Sequence, residues 1–278
     1  MIYNCFIFFN ELDILELQLE ETYDYVDKFV IVEATETHMH VPKPLYYADN
    51  RSRFQRFADK IIHVVVDDMP AGADSWQMEF FQRNAIARGL ADTTAEDTII
   101  IADVDEIIRR ECLRDLRNDP RLLVGMRLQF SYFRLNYVNV AGPEQHMVWA
   151  IAAKQPVVAQ TSPQKIRDSR FGIHAKAASG AFDGQVGAID NAGWHFSYIG
   201  NTAHVVNKLR NFSHQEFNVD SFLQSIDVDD LIRRGADLFD RSGYRWELWP
   251  VDERFPVTLR QNIDRYQTHI GKVGGGPV

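Results

Sequence analysis

Only two cysteines, Cys5 and Cys112, occur in 278 residues, and they form neither a C-x-x-C pair nor a zinc-ligand spacing. That excludes a disulfide framework and a cysteine-ligated metal, and a reduced, cytoplasmic setting is the simplest expectation. Long apolar runs are also missing. The run at 2–9 contains Asn4, is too short to span a bilayer and has no basic leader ahead of it, so no membrane span is expected. Positive charge is in deficit, with 30 Lys and Arg against 39 Asp and Glu and a formal net charge of -9. Such a balance opposes attraction to a phosphate backbone and argues against nucleic acid as a partner. A nucleotide held at one locally positive site stays compatible with it.

The material present is ordinary globular sequence, 45% hydrophobic, enough to bury a sizeable core. Segments 2–9, 28–34, 60–66 and 97–103 are short runs rich in Ile, Val and Phe, the pattern of strands buried on both faces. Between them Leu12, Leu15, Leu19, Tyr23 and Val26 recur at helical spacing. A second helix is predicted over 75–91, with Ser75 as its N-cap. Strands alternating with helices predict an α/β fold, a mostly parallel central sheet with flanking helices. Beyond position 120 the order changes. Residues 122–140 alternate as one or two strands, 147–159 and 192–199 read as further strand, and helical spacing returns at 201–211 and 219–239. One domain over 1–270 is expected: a nucleotide-binding half at about 1–110, an acceptor half at about 111–217 and a helical part at 218–270. The glycine-rich 271–278 is expected to be a flexible tail.

The chemistry concentrates at Asp103-Val104-Asp105, after Ile99-Ile-Ile-Ala102. Strand alternation would aim both carboxylates the same way, at the carboxyl end of a buried strand, where α/β sheets form their ligand crevices. Two carboxylates so placed repel unless a cation neutralises them, and a divalent ion there could also take up charge on a diphosphate. The alternative is a pair of solvated loop acids. Glu106 is either a third ligand or a cap for the next helix. Upstream, Asn10-Glu11 come directly after the first strand, Glu33 ends the second, and Gln82-Arg83-Asn84 lie on the helix before the acidic strand. Asn10 could bridge ribose hydroxyls or cap a helix. Glu33 could accept hydrogen bonds from base or ribose or decorate a loop. Arg83 could pair with phosphate or sit on the surface.

Several segments, taken in order, resemble glycosyltransferase family 17. They are Cys5-Phe-Ile-Phe-Phe-Asn-Glu-Leu-Asp, Phe29-Val-Ile-Val-Glu-Ala-Thr, Lys43-Pro-Leu-Tyr, Lys60-Ile-Ile-His-Val-Val-Val-Asp-Asp, Phe81-Gln-Arg-Asn-Ala-Ile and Ile101-Ala-Asp-Val-Asp-Glu-Ile. Gly193-Trp-His-Phe-Ser-Tyr and Lys208-Leu-Arg-Asn-Phe-Ser-His-Gln-Glu extend the likeness, which covers about 2–217. The resemblance implies a GT-A type nucleotide-diphospho-sugar transferase fold, a UDP-sugar donor (UDP-N-acetylglucosamine), a Mn²⁺ or Mg²⁺ requirement, inversion at the anomeric carbon and a carbohydrate acceptor. By analogy His195 joins Asp103 and Asp105 as metal ligand, with His214 its competitor and a buried core histidine the plainer reading. Lys208, Arg167 and Arg170 are candidate phosphate contacts, and Trp149, Trp194 and Tyr198 candidate stacking rings. Inversion needs a base for the acceptor hydroxyl, for which Asp190 is the first candidate and Glu216 the second. Two alternatives stand beside this reading: a nucleotidyltransferase, and a non-catalytic nucleotide-sugar or carbohydrate-binding protein. The first usually carries a Gly-rich basic loop after its first strand, whereas Phe9-Asn-Glu-Leu-Asp stands there in this chain.

Overall fold

The structure, a computed structural model, describes residues 1–173 and 185–273. Its strands are β1 Ile2–Phe8, β2 Lys28–Ala34, β3 Ile61–Val66, β4 Thr98–Asp103, β5 Glu106–Ile108, β6 Leu123–Tyr132, β7 Tyr137–Ala141, β8 Val148–Lys154, β9 Val186–Ser197 and β10 Arg245–Leu248. Strands β3, β2, β1 and β4 lie side by side and all parallel. These are the four apolar runs of the sequence, and alternation sorts their side chains onto two faces. Phe6, Phe8, Phe29, Ile31, Ile100 and Ala102 enter one core, while Tyr3, Cys5, Val30, Val32, Ile99 and Ile101 enter the other. Burying each such large apolar side chain stabilises the sheet by roughly 1.5–3 kcal/mol.

Past β4 the sheet becomes mixed. Strand β8 runs antiparallel to β4, β6 antiparallel to β8, β7 antiparallel to β6 and β10 antiparallel to β7. Strand β9 lies parallel to β6 and then pairs antiparallel with β5. The fold is α/β, with a parallel half-sheet continued by these later strands.

Helix α1 (Leu12–Thr22) packs Leu15 and Leu19 into the first core. Helix α2 (Tyr46–Asp49) is a single turn. Helix α3 (Ser75–Asn84) differs from expectation at both ends. Its N-cap is Asp74, whose carboxylate accepts the Gln77 amide in a reciprocal capping box, and the chain tightens to a 3₁₀ helix at Ala85–Gly89. Helix α4 is Arg110–Leu116, α5 Gln155–Gln160 and α6 Pro163–Asp168, with Pro at the first turn of both α5 and α6. The predicted strand 147–159 therefore ends at Lys154, and the strand predicted at 192–199 starts earlier, at Val186. The helical spacing at 201–211 gives the helix Thr202–Asn211, and that at 219–239 gives two short helices, Asp220–Ser225 and Val228–Arg234. Strands β5 and β10 were not expected.

Close approach of β9 to β5 requires glycine at 193. A Cβ there would lie 2.0 Å from the Ile107 carbonyl oxygen. The pairing it permits sets His195 opposite Glu106. Gly271, where the flexible tail was expected to begin, is held on both sides by Asn136: its amide donates to Oδ1 at 2.7 Å and its carbonyl accepts from Nδ2 at 2.9 Å. The rest of that expectation, at 274–278, lies outside the described residues. Among the described residues no helix is long and apolar enough to cross a membrane.

Candidate functional site

A cavity of about 450 Å³ opens over the carboxyl ends of β1 and β4. Phe9 and Glu11 enter it from the end of β1, Thr37 and Lys43 from the loop after β2, and Asp103 and Asp105 from the end of β4. His195 comes from β9, and Lys208 from the Thr202–Asn211 helix. This is the crevice that an α/β sheet forms where its strands end.

The acidic pair does not continue as strand. β4 stops at Asp103, and Val104-Asp105 make a turn into β5. The two carboxylates therefore have separate partners. Asp103 Oδ1 accepts from Arg83 Nη2 at 3.0 Å and Oδ2 from Arg167 Nη2 at 2.7 Å. Burial alone would raise the Asp103 carboxyl, but Arg167, Arg83 and Arg170 outweigh it and hold it well below the usual carboxylate range. Asp105 is buried. Its Oδ1 lies 3.5 Å from His195 Nε2, and its Oδ2 lies 3.2 Å from Lys208 Nζ. Burial raises the Asp105 carboxyl against the pull of Lys208 and His195. Burial lowers the His195 imidazole, which favours the neutral form with a free lone pair.

Behind the pair stands a buried ion network. Arg167, 2% exposed, forks onto Glu106 with both N···O distances at 2.6 Å, and also donates to the Trp149 carbonyl. Glu106 is thus bound to the Arg167 guanidinium rather than capping a helix, and its Oε2 also accepts the Asp103 amide at 3.1 Å. Arg83 bonds Glu79 Oε1 and Gln164 Oε1, both at 2.8 Å. Glu79 also accepts from the Ser213 hydroxyl, tying α3 to the segment just beyond the Thr202–Asn211 helix.

The three-ligand set expected from the sequence, Asp103, Asp105 and His195, is not gathered into a cage. Asp103 has both oxygens on guanidinium groups, and among the described residues no cluster of three His, Cys, Asp or Glu could hold a metal. Asp105 and His195 do stand together. Should a divalent ion bind here, Asp105 and His195 would hold it, with Lys208 also within 3.2 Å of the Asp105 carboxylate. His195 Nδ1 is buried without a hydrogen-bond partner among the described residues, and the ring is packed against Phe130 and Trp149.

Four other predicted residues do not reach the cavity wall: Asn10, Glu33, Asn84 and Asp190. Glu33 is wholly buried under α2. Its Oε1 accepts the Tyr47 amide at 2.9 Å, and its Oε2 lies 3.4 Å from the Ala48 amide and 3.1 Å from His63 Nε2. Buried there and absent from the cavity wall, Glu33 is shut off from a ligand in the cleft. The Asn10 amide donates to its neighbour Glu11 at 3.0 Å, and Asn84 Oδ1 accepts the Gln164 amide at 3.0 Å. Asp190, with its side chain 76% exposed, pairs with Arg127 on the outer stretch of β9. Glu216 does line the cavity, and its Oε1 lies 2.6 Å from His214 Nδ1. Of the candidate rings, Tyr198 and Trp149 line the cavity, while Trp194 is core.

Sequence reasoning missed Lys43 and Trp76 and gave Arg170 too little weight. Burial lowers the Lys43 ammonium, which sits 5.7 Å from the ring centroids of both Phe9 and Tyr46. Arg170, pushed down to about 10 by burial and by repulsion from Arg167 against the attraction of Glu106 and Asp103, stacks over the Phe171 ring at 4.6 Å and, among the described residues, has no carboxylate at ion-pair distance. Trp76 meets the His214 ring edge-on at 4.5 Å. Lys43 stands in the motif Lys43-Pro-Leu-Tyr, and that was the one signal for it in the sequence.

Fold and cavity together define a class: an α/β chain with a cleft at the carboxyl ends of its parallel strands, lined by Lys43, Arg83, Arg167, Arg170 and Lys208. The chain belongs to glycosyltransferase family 17, whose model matches residues 1–150. Over 111 residues it is 30% identical to the human β-1,4-mannosyl-glycoprotein 4-β-N-acetylglucosaminyltransferase, a match covering 37% of this chain and 21% of that one. The rat protein of the same name matches at 30% identity, covering 37% of this chain and 20% of its own length. This chain thus spans about a fifth of the length of these relatives. The crystal structure of glucosyl-3-phosphoglycerate synthase from Mycobacterium tuberculosis, in complex with phosphoglyceric acid, aligns over 70% of both chains. That alignment has 14% identity and a TM-score of 0.39.

Proposed function

We propose that this chain is a metal-dependent, inverting glycosyltransferase that moves N-acetylglucosamine from UDP-N-acetylglucosamine to a hydroxyl of a glycan or other acceptor. Family membership supports transfer of a sugar, and the names of the curated relatives support the donor sugar. The observation that carries the reading is Arg170, a half-buried guanidinium on the cavity wall that stacks over Phe171 and, among the described residues, has no carboxylate at ion-pair distance. A half-buried guanidinium with no ion-pair partner of its own favours an anionic ligand, and a diphosphate is one.

In this reading the uridine lies towards Phe9, Thr37 and Lys43, and the diphosphate faces Arg170 and Lys208. Asp105 and His195 would hold the divalent cation, which supplies further positive charge for the departing diphosphate. Asp103 serves the site indirectly, by fixing Arg83 and Arg167. The acceptor hydroxyl gives its proton to the His214–Glu216 pair. Its oxygen attacks the anomeric carbon from the side opposite the diphosphate, the bond from that carbon to the phosphate oxygen breaks, and UDP leaves with the electron pair. A hydrogen bond from Nδ1 to Glu216 leaves His214 Nε2 as the proton acceptor. Asp190 takes no part.

Titration of UDP onto the protein with and without Mn²⁺, followed by assay of UDP release from UDP-N-acetylglucosamine, tests the reading. Expected are UDP binding that Mn²⁺ strengthens and a slow release of UDP. Pyrophosphate release would favour the nucleotidyltransferase alternative, and absence of UDP binding would refute the donor assignment.

A further inference from the structure

Lys208 joins two carboxylates across the cavity. Its Nζ lies 3.2 Å from Asp105 Oδ2 and 3.3 Å from Glu11 Oε1, above the Tyr198 ring at 5.4 Å from the centroid. The other oxygen of Asp105 faces His195 Nε2 at 3.5 Å. One carboxylate therefore serves both the lysine and the place where a divalent cation would bind. Glu11 has its second oxygen on the Asn10 amide. Asp103 is already paired, with Arg83 on one of its oxygens and Arg167 on the other.

A divalent ion entering between Asp105 and His195 would meet an ammonium already on the same carboxylate. In a largely buried site such like-charge repulsion is poorly screened by water or salt. An arriving diphosphate changes the balance. It adds negative charge beside Lys208, gives the ammonium a second set of oxygens and releases Asp105 towards His195.

We propose that Lys208 is a resident counter-ion that makes divalent-cation binding conditional on the donor diphosphate. Without nucleotide, Lys208 neutralises Asp105 and Glu11 and keeps the cation out. With nucleotide, the ammonium turns to phosphate oxygens and the cation enters. Nucleotide and cation then bind with positive linkage, each strengthening the other by the same factor. This inference rests on the reading of the cavity as a metal-dependent donor site.

The test is a titration of Mn²⁺ monitored by the electron paramagnetic resonance signal of the free ion, on the whole protein, with and without UDP. For the wild type the expected result is weak Mn²⁺ binding alone and binding tighter by about tenfold or more with UDP. Lys208→Met should bind Mn²⁺ without UDP about tenfold more tightly than the wild type and lose most of the UDP enhancement. Lys208→Arg, which keeps the charge, should behave as the wild type. Glu11→Gln leaves the ammonium to Asp105 alone and should weaken UDP-free Mn²⁺ binding further. That variant decides the matter should Lys208→Met fail to fold, as judged by circular dichroism. Lys208→Met binding Mn²⁺ no more tightly than the wild type, while UDP still strengthens Mn²⁺ binding in both, would overturn the proposal and leave the donor-site reading standing. UDP binding with no Mn²⁺ uptake in any variant would instead strike the metal reading itself, and the proposal with it.

Discussion

Replacing Arg167 by methionine should destabilise the protein severely, and the structure sets the scale. The side chain is 2% exposed and is shared by Glu106, itself 0% exposed, and by Asp103. Methionine fills much of the volume, so the loss is chiefly electrostatic. Glu106 would keep a carboxylate in the interior with its forked cation gone. Breaking a buried pair by removing one partner costs about 3–5 kcal/mol, because an uncompensated charge remains. In a chain of this size that corresponds to a fall of roughly 10 °C in melting temperature. Arg167→Lys keeps the charge and loses the fork, and should cost about half as much. Acid adds a second signature. In the wild type the Asp103 carboxyl is held below its unfolded value by Arg167 and Arg83 against the opposing effect of burial. Its contribution is therefore present above the unfolded pKa, about 3.9, and is lost as pH falls through the lower folded value. Methionine at 167 removes one of those cations, so the stability gap between wild type and variant should narrow below about pH 4. Urea denaturation at pH 7 and at a series of lower pH values measures both effects. A loss under about 1 kcal/mol at neutral pH would refute the account of the network as a set of mutually dependent charges.

Glu33→Gln should lower stability by about 1–3 kcal/mol, seen in urea denaturation, and leave the dissociation constant for UDP unchanged. Weakened UDP binding in a stably folded variant would return Glu33 to the donor site. His214→Gln and Glu216→Gln should each reduce kcat for UDP release by about a hundredfold or less, the imidazole change costing more, with UDP affinity intact. Equal and small effects would remove the pair from proton transfer. Asp190→Asn should leave both UDP affinity and turnover within about twofold of the wild type, since its side chain faces solvent beside Arg127; a large loss of turnover would reinstate it as the base.

The sheet's parallel half was legible because its strands are buried on both faces. Short β-branched runs such as Ile99-Ile-Ile-Ala102 fit a strand covered on both faces. The same logic placed Asp103 at a strand end. It failed for Asp105, because alternation holds only while the strand lasts, and the chain turns at Val104. Glu33 was misjudged for a related reason: a strand end can be roofed by the next element, and α2 roofs this one. The cations were the least legible part. Arg167 meets Asp103 and Glu106 from 64 and 61 residues away, and Lys208 meets Asp105 from 103 residues away. No local spacing encodes such meetings. Capping at Asp74 was readable in principle from Asp74 and Gln77, three positions apart, but the adjacent Ser75 offered an equally good cap.

Glu79 has one carboxylate and two clients, the Arg83 guanidinium beneath the acidic turn and the Ser213 hydroxyl next to His214. The two ends of the cleft thus share a hinge pin. Redesigning the 212–217 segment to admit a different acceptor would tug on the support of Asp103 as well, so a change of acceptor preference should come with a change in donor affinity. Selection for new partners in chains built this way would have to alter both ends together.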